Sequence, residues 1–229
     1  MIEFLNRFTF SIKDITLYLE IIAAIVGSIY FYKYKNSYLK YFLILLWYVV
    51  ANELIGKYIA DIKGENNPIY FNIYLFVNFI FLFSLYGHFL KRKLYKKIIF
   101  YFGIIYGILF IVNGIFFENY WIDLVFIPFI IGSCFLIISI IFYFIEIMNS
   151  ENVLLIKQNL LFWISVGVLL FNIGIIPWLI FRKFFFQTYE DNFEWMNILS
   201  LSLNLILNIS YIIGFICSYK VEKEQQQLQ

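Results

Sequence analysis

Seven long apolar stretches fill this chain of 229 residues and leave only short connections between them. Each stretch has about the 17 to 25 residues that a helix needs to cross a hydrocarbon core of about 30 Å. The stretches run over residues 15–32, 38–59, 69–90, 98–117, 121–147, 160–181 and 196–219. This pattern predicts a membrane protein that crosses the bilayer several times.

The continuous apolar character of the stretches also predicts their secondary structure. Lipid offers no hydrogen bonds to the backbone, so only helices and closed barrels cross a membrane. Barrel strands alternate apolar and polar residues over about ten positions, whereas these runs are longer and continuously apolar. We therefore expect an all-α seven-helix bundle that forms one transmembrane domain over residues 1–219, followed by a short polar cytoplasmic tail over residues 220–229.

The positive charges between the stretches predict an orientation. Alternate connections form two sets, of which one contains 11 Lys and Arg residues and the other contains 6. Basic connections stay on the cytoplasmic side of a membrane, so the richer set is predicted to be cytoplasmic. This places the N-terminus outside and the C-terminus inside, in the inner membrane of a bacterial cell.

A run of five basic residues between the third and fourth stretches contributes most to that orientation. The run consists of Lys91, Arg92, Lys93, Lys96 and Lys97. Its ordinary interpretation is a topology anchor, and the alternative is contact with anionic lipid or with a partner protein. The net charge of the whole chain is only +2, and nothing in the sequence supports binding to nucleic acid.

Polar side chains inside the stretches are the second informative feature. They cost several kcal/mol where they face lipid, so we expect them to turn inward and to find partners. Most of them fall in the predicted external half or near the middle of the membrane, whereas Glu146 falls near the cytoplasmic end. A pocket between helices is expected there, and its candidate ligand-binding residues are Glu20, Asn52, Glu53, Tyr74, Asn78, Asn113, Asn172, Ser200, Asn204 and Asn208.

These polar residues also have structural interpretations. Ser200, Asn204 and Asn208 recur every four residues and form one stripe along a helix. Asparagines between transmembrane helices often only bond neighbouring helices, with about 0.6 kcal/mol each. The carboxylates of Glu20 and Glu53 lie close enough to the predicted outer interface for solvation by water to be the alternative to a functional role.

Glycine and proline positions predict packing and bends. Gly103 and Gly107 form a GxxxG pair in the fourth stretch, which is typical of close helix contact, either within one chain or between the copies of a homo-oligomer. Pro128 and Pro177 fall inside the fifth and sixth stretches, where we expect them to bend their helices. Such bends either shape the bundle or act as hinges.

The sequence offers little for catalysis or for a metal or cofactor site. His88 is the single histidine, and the two cysteines, Cys134 and Cys217, lie within apolar stretches. One histidine without a cluster of cysteines or acids does not make a zinc site. We therefore expect no metal, no cofactor and no enzymatic activity.

Two short motifs carry a resemblance to known proteins. Residues 71–75 read Phe-Asn-Ile-Tyr-Leu and open the third stretch, and residues 161–164 read Leu-Phe-Trp-Ile and open the sixth. With the hydropathy pattern, they resemble small, mostly uncharacterised seven-helix membrane proteins of Bacteroidetes. Such proteins are similar to the membrane halves of seven-helix bacterial sensors, which implies a receptor-like role.

Three classes of function follow. The first is a sensor or receptor-like module whose outer half binds a small ligand and which signals through a separate partner protein in the cytoplasm or the membrane. The second is a small transporter or an oligomeric pore or accessory protein, for example of a defence or stress system. The third is a structural or assembly role.

Overall fold

The computed structural model describes residues 2–63, 68–185 and 194–218, and the regular secondary structure of this part of the chain is helical. Seven α-helices and two short 3-10 helices occur there, and the tail predicted over residues 220–229 lies outside the described residues. The α-helices are α1 (Ile2–Ile29), α2 (Lys40–Lys63), α3 (Pro68–Phe89), α4 (Lys93–Phe116), α5 (Ile127–Met148), α6 (Leu160–Phe185) and α7 (Glu194–Cys217). The 3-10 helices are Phe31–Lys33 and Glu151–Gln158.

Within the described residues, six of the helices, α2 to α7, are long and apolar enough to cross a membrane. Their apolar segments measure 20 to 24 residues, as a span of the hydrocarbon core requires. The apolar segment of α1, Ile15–Ile29, is shorter. The prediction of helices long and apolar enough to cross a membrane is therefore confirmed for six of the seven stretches.

Proline positions show where hydropathy misplaces a helix boundary. Pro128 lies in the first turn of α5, where the missing N–H has no intrahelical partner to lose. The bend expected at this proline is therefore wrong, because the fifth helix begins at Ile127 and not at residue 121. Pro177 does lie inside α6.

The helices separate into two compact units. Unit 1 comprises Met1–Lys35 and Leu155–Gln229, and unit 2 comprises Asn36–Leu154. In unit 1, α7 packs against both α1 and α6. In unit 2, α3 packs against α2, α4 and α5, and α4 packs against α5.

Glycines allow a close contact between α6 and α7. A methyl group added at Gly174 would lie 2.6 Å from Leu203 Cδ2, and one added at Gly167 would lie 2.9 Å from Ser210 Cβ. Small residues at such positions let helix backbones approach each other. Neither glycine belongs to the GxxxG pair of the fourth stretch.

The GxxxG pair itself lies on an open face of α4. A methyl group added at Gly103 or Gly107 would meet no atom within 4 Å. Large apolar side chains on the same helix are exposed, among them Phe100, Ile108 and Ile111. The pair was predicted to contact a helix either of the same chain or of another copy. Within the described part of the chain, no helix packs against these two glycines.

Candidate functional site

The ten predicted pocket residues fall in both units. Unit 1 holds Glu20, Asn172, Ser200, Asn204 and Asn208. Unit 2 holds Asn52, Glu53, Tyr74, Asn78 and Asn113. The geometry is therefore described for each unit by itself.

In unit 1, the asparagines of α6 and α7 bond to their own helices. Asn172 Nδ2 donates to the Val168 carbonyl at 2.7 Å, and Asn204 Nδ2 donates to the Ser200 carbonyl at 3.1 Å. Asn208 Nδ2 donates to the Asn204 carbonyl at 3.0 Å. Because a carbonyl accepts each bond, the donating atom must be the amide nitrogen. The side-chain oxygens of these amides take no part in those bonds.

The oxygen of Asn172 is the most enclosed of them. Asn172 is 3% exposed, and its Oδ1 has no hydrogen-bond partner among the described residues. A buried acceptor without a partner costs about 1–3 kcal/mol. This atom is therefore a candidate contact for a ligand.

Asn172 and Asn204 lie at a similar depth in unit 1. Gly174 of α6 faces Leu203 of α7, Asn172 precedes Gly174 by two residues, and Asn204 follows Leu203 directly. At a rise of about 1.5 Å per residue, the two asparagines are separated along the axis by less than one turn.

Glu20 of α1 comes to the same depth. The Tyr34 hydroxyl, after the end of α1, lies 2.5 Å from Ser218 Oγ, after the end of α7, so the two helices run parallel. Glu20 precedes Tyr34 by as many residues as Asn204 precedes Ser218, which puts Glu20 and Asn204 at a similar depth. The 3-10 segment Phe31–Lys33 rises about 0.5 Å more per residue than an α-helix, which shifts this correspondence by only about 2 Å.

Glu20 is itself buried. It is 7% exposed, and Ala23 and Ala24, which share its face of α1, are fully buried. In unit 1, α1 packs on α7, and Glu20 lies on the buried face of α1. We call Glu20, Asn172 and Asn204 the polar layer of unit 1.

In unit 2, Asn113 belongs to a network that closes the connection between α4 and α5. Its Nδ2 donates to Glu118 Oε2 at 2.7 Å and to the Tyr120 hydroxyl at 3.1 Å. Glu118 Oε2 also accepts the Phe126 N–H at 3.0 Å. The Tyr120 hydroxyl donates to the Phe110 carbonyl at 2.9 Å. These bonds give Asn113 a structural role.

Tyr120 remains a neutral donor in this network. Burial raises the pKa of its phenol, and the Asn113 hydrogen bond offsets part of that rise. The neutral phenol both accepts from Asn113 and donates to the backbone.

Asn72 is a buried polar residue that the sequence analysis did not select. Its Oδ1 accepts the Val125 N–H at 2.9 Å, and its Nδ2 donates to the carbonyls of Tyr120 and Asp123 at 3.2 and 2.9 Å. Asn72 is fully buried. It therefore fixes the connection that leads into α5.

The other predicted residues of unit 2 lie on α2 and α3. Asn52 donates to the carbonyl of Tyr48 on its own helix at 2.6 Å, and Glu53 is exposed. Tyr74 and Asn78 are half-buried. Unit 2 contains three buried hydroxyls without a partner among the described residues, those of Tyr106, Ser133 and Tyr143.

The basic run surrounds the start of α4. All five basic residues of the run are exposed, and within the described chain none of them forms an ion pair. Glu146 of α5 accepts the backbone N–H groups of Lys91 and Arg92 at 2.7 and 2.8 Å. The carboxylate thus bonds to the backbone and not to the cationic side chains, of which Arg92 donates to the Tyr95 hydroxyl at 3.2 Å.

The described residues contain no group of three or more His, Cys, Asp or Glu side chains that could hold a metal ion. Comparison of the chain with models of protein families, with curated proteins and with solved structures found no match.

Proposed function

We propose that this chain is a membrane sensor, a receptor-like module that binds a small ligand in its interior and signals through a separate partner. In this proposal the seven helices form one bundle in the bacterial inner membrane, with the N-terminus outside. The observation that carries the proposal is the polar layer of unit 1, in which the buried Asn172 Oδ1 lies at the depth of Glu20 and Asn204. Charged and polar side chains cost free energy inside a membrane, and those found there are usually functional.

The basic run supports the proposed signalling through a separate partner. Its side chains are exposed and form no ion pairs within the described chain, so they suit contact with an acidic partner protein or with anionic lipid headgroups. Glu146 joins the end of α5 to the backbone at Lys91 and Arg92. A change in the packing of α5 would therefore move the run.

A screen of small polar compounds against the purified chain tests this function. A compound present at a concentration of about 100 times its Kd stabilises the folded state by about 2.7 kcal/mol. This corresponds to a rise in Tm of about 5 °C or more for a chain of this size. We expect a ligand to raise Tm in the native chain and in Asn78→Leu, and to change hydrogen exchange over residues 91–97.

The variant Asn204→Leu should lose both responses, since it removes one oxygen of the polar layer. Asn78→Leu is the matched control because Asn78 is half-buried in unit 2. If every stabilising compound acts equally on Asn204→Leu, the ligand does not bind at the polar layer and the proposal is wrong.

A small transporter is the alternative function, and Pro177 favours it. A proline inside a helix has no N–H for the carbonyl four residues earlier, which here belongs to Ile173, next to Asn172. Backbone carbonyls that helices leave without a partner commonly contribute to the binding sites of transporters. Solute flux in liposomes that contain the purified chain would favour transport, and its absence over a broad solute panel would favour sensing.

The open face of α4 suggests the form in which the chain acts. Gly103 and Gly107 have free space around them, and glycine pairs of this spacing allow close contact between transmembrane helices. A homo-oligomer that associates through this face is part of the proposal.

A further inference from the structure

We infer that the basic run at the start of α4 binds the headgroup of an anionic phospholipid, whose acyl chains lie along the same helix. This inference selects one of the two contacts that suit the run, an anionic lipid and not an acidic protein. Of the proposed function it needs only that α4 crosses a membrane, and it does not rest on the polar layer.

Helix α4 packs against the rest of unit 2 through one face. The residues that it buries, Ile99, Tyr106 and Asn113, recur every seven positions. Tyr95 and Phe102 follow the same spacing, and the ring of each stacks on a phenylalanine of α5 with 4.3 Å between the centroids. Positions seven apart lie on one side of a helix, so this side is the packed face.

The opposite side of α4 carries lysines at its start and apolar residues beyond them. We call this side the exposed face, and it consists of Lys93, Lys97, Phe100, Ile104 and Ile111. Their spacing of four, three, four and seven positions places them on one side of a helix. All five are exposed, Phe100 by 67% and Ile111 by 59%. Because α4 is long and apolar enough to cross a membrane, this face suits contact with lipid.

The lysines of the exposed face suit the level of the lipid phosphates. Lys97 precedes Phe100, the first apolar residue of this face, by three residues, and Lys93 precedes it by seven. These separations are about 4.5 and 10.5 Å along the helix axis, and the headgroup layer of a bilayer is about 5–7 Å thick. Lys97 Nζ lies 6.0 Å from the centroid of the Tyr101 ring, and tyrosine is enriched at that boundary. The Lys97 ammonium therefore comes within reach of lipid phosphates.

The charge of the run favours a headgroup with a net negative charge. Glu146 contacts the run, but its two carboxylate oxygens accept backbone N–H groups at 2.7 and 2.8 Å, and it offsets one of five positive charges. Arg92 donates to the Tyr95 hydroxyl at 3.2 Å and has further N–H donors, which suit phosphate oxygens. A zwitterionic headgroup balances its own phosphate, whereas an anionic headgroup supplies the missing negative charge.

An acidic protein matches this surface less well than a phospholipid does. Exposed apolar side chains begin within one helical turn of Lys97. A water-soluble partner would have to displace lipid headgroups to reach this ammonium. A phospholipid presents a phosphate and acyl chains together, as the exposed face requires.

Lipid binding by the full chain in detergent tests the inference. The chain is titrated with phosphatidylglycerol or with phosphatidylcholine at constant ionic strength, and bound lipids are counted by native mass spectrometry. We expect phosphatidylglycerol to bind saturably, with a half-saturation concentration at least tenfold below that of phosphatidylcholine. The orientation of the chain does not affect this assay, because both ends of every helix are accessible in detergent.

Matched variants locate the site. Lys93→Gln/Lys97→Gln should raise the half-saturation concentration for phosphatidylglycerol about thirtyfold, as the free energy per basic residue near an anionic surface predicts. Lys93→Arg/Lys97→Arg retains both charges and should bind as the native chain does. Lys35→Gln/Lys157→Gln removes the same charge from exposed positions of unit 1 and should leave binding unchanged. If the first variant does not fold, the comparison of the two lipids on the native chain still decides.

Two soluble competitors represent other sources of negative charge. Glycerol 1-phosphate carries the charge of a headgroup without acyl chains, and a short polyglutamate peptide represents an acidic protein. We expect neither of them to displace phosphatidylglycerol at equal concentration. Displacement by glycerol 1-phosphate would show that acyl chains along α4 contribute nothing, and displacement by polyglutamate would favour a protein partner. Either result would overturn the inference.

Equal binding of the two lipids, or native affinity in Lys93→Gln/Lys97→Gln, would also overturn it. Asn204→Leu changes only the polar layer and should bind lipid as the native chain does. Lipid binding in a chain for which the screen finds no ligand would retain the lipid site and count against the sensor. A ligand that needs Asn204, in a chain that binds both lipids equally, would retain the sensor and refute the lipid site.

Discussion

Polar side chains inside unit 1 and unit 2 bond to different partners. In unit 2, Asn72 and Glu146 reach across to backbone groups about 50 residues away in sequence. In unit 1, Asn172, Asn204 and Asn208 bond to carbonyls four residues earlier on the same helix. Asn72 and Glu146 of unit 2 therefore join separate segments, whereas the amides of α6 and α7 in unit 1 bond along their own helices.

The difference separates structural polar groups from candidate ligand contacts. A side chain that satisfies the backbone of another segment cannot be withdrawn without leaving that backbone unpaired. A bond to the same helix adds little to tertiary stability, because a carbonyl inside a helix already has a partner. We expect substitutions in the two units to affect stability unequally.

The largest effect is expected for Asn72→Leu. The substitution leaves the Val125 N–H and the carbonyls of Tyr120 and Asp123 without their partner. We expect the free energy of unfolding to fall by about 3 kcal/mol, measured by denaturant titration of the chain in detergent. The control is Asn52→Leu, which removes only a bond within α2. Equal losses in the two variants would contradict the proposed distinction.

A smaller loss is expected for Glu146→Ala. Two N–H groups at the start of α4 lose their acceptor, but Glu146 is half-buried and water can replace part of the interaction. We expect a loss of about 1 kcal/mol and faster hydrogen exchange at residues 91 and 92. Glu146→Gln retains an acceptor oxygen and should show less than half of the loss. No change in exchange for Glu146→Ala would mean that the carboxylate does not hold this turn.

Asn208→Leu in unit 1 should change stability least among the buried amides. The side chain bonds to the Asn204 carbonyl of its own helix, so we expect the free energy of unfolding to stay within about 0.5 kcal/mol of that of the native chain. The same denaturant titration measures it. A loss as large as that of Asn72→Leu would show that amides in the two units act alike.

Gly103→Ala should leave the stability of a single copy unchanged within about 0.5 kcal/mol, because the added methyl group meets nothing within 4 Å. Gly174→Ala places its methyl group 2.6 Å from Leu203 Cδ2 and should lower the free energy of unfolding by about 1–3 kcal/mol.

If copies associate through α4, Gly103→Leu should lower energy transfer between labelled chains in liposomes. Unchanged transfer would count against association through this face.

The membrane helices were predictable because an apolar run of about 20 residues leaves few other structures open to it. The start of α5 was not. Residues 121–126 are mostly apolar and extend the run in the sequence, yet they form turns before the helix. Trp121 is 74% exposed and Ile122 is 71% exposed, and hydropathy does not distinguish such residues from the first turn of a helix.

The candidate site was only partly predictable, for a related reason. Tyr74 and Asn78 of α3, two of the predicted pocket residues, are half-buried. The buried side of α3 carries Asn72 among apolar residues such as Phe79 and Phe83. Position in the sequence gives the depth of an amide, but the bond that it makes depends on segments distant in sequence.

The composition of unit 1 has a consequence for biosynthesis. Its helix α1 packs on α7, and the whole of unit 2 is synthesised between them. At about 5–20 residues per second, α1 waits roughly 10 to 40 s for its neighbour, while all helices of unit 2 are already complete. The buried carboxyl of Glu20 must therefore be accommodated during insertion by lipid, water or an insertion factor before the polar layer exists.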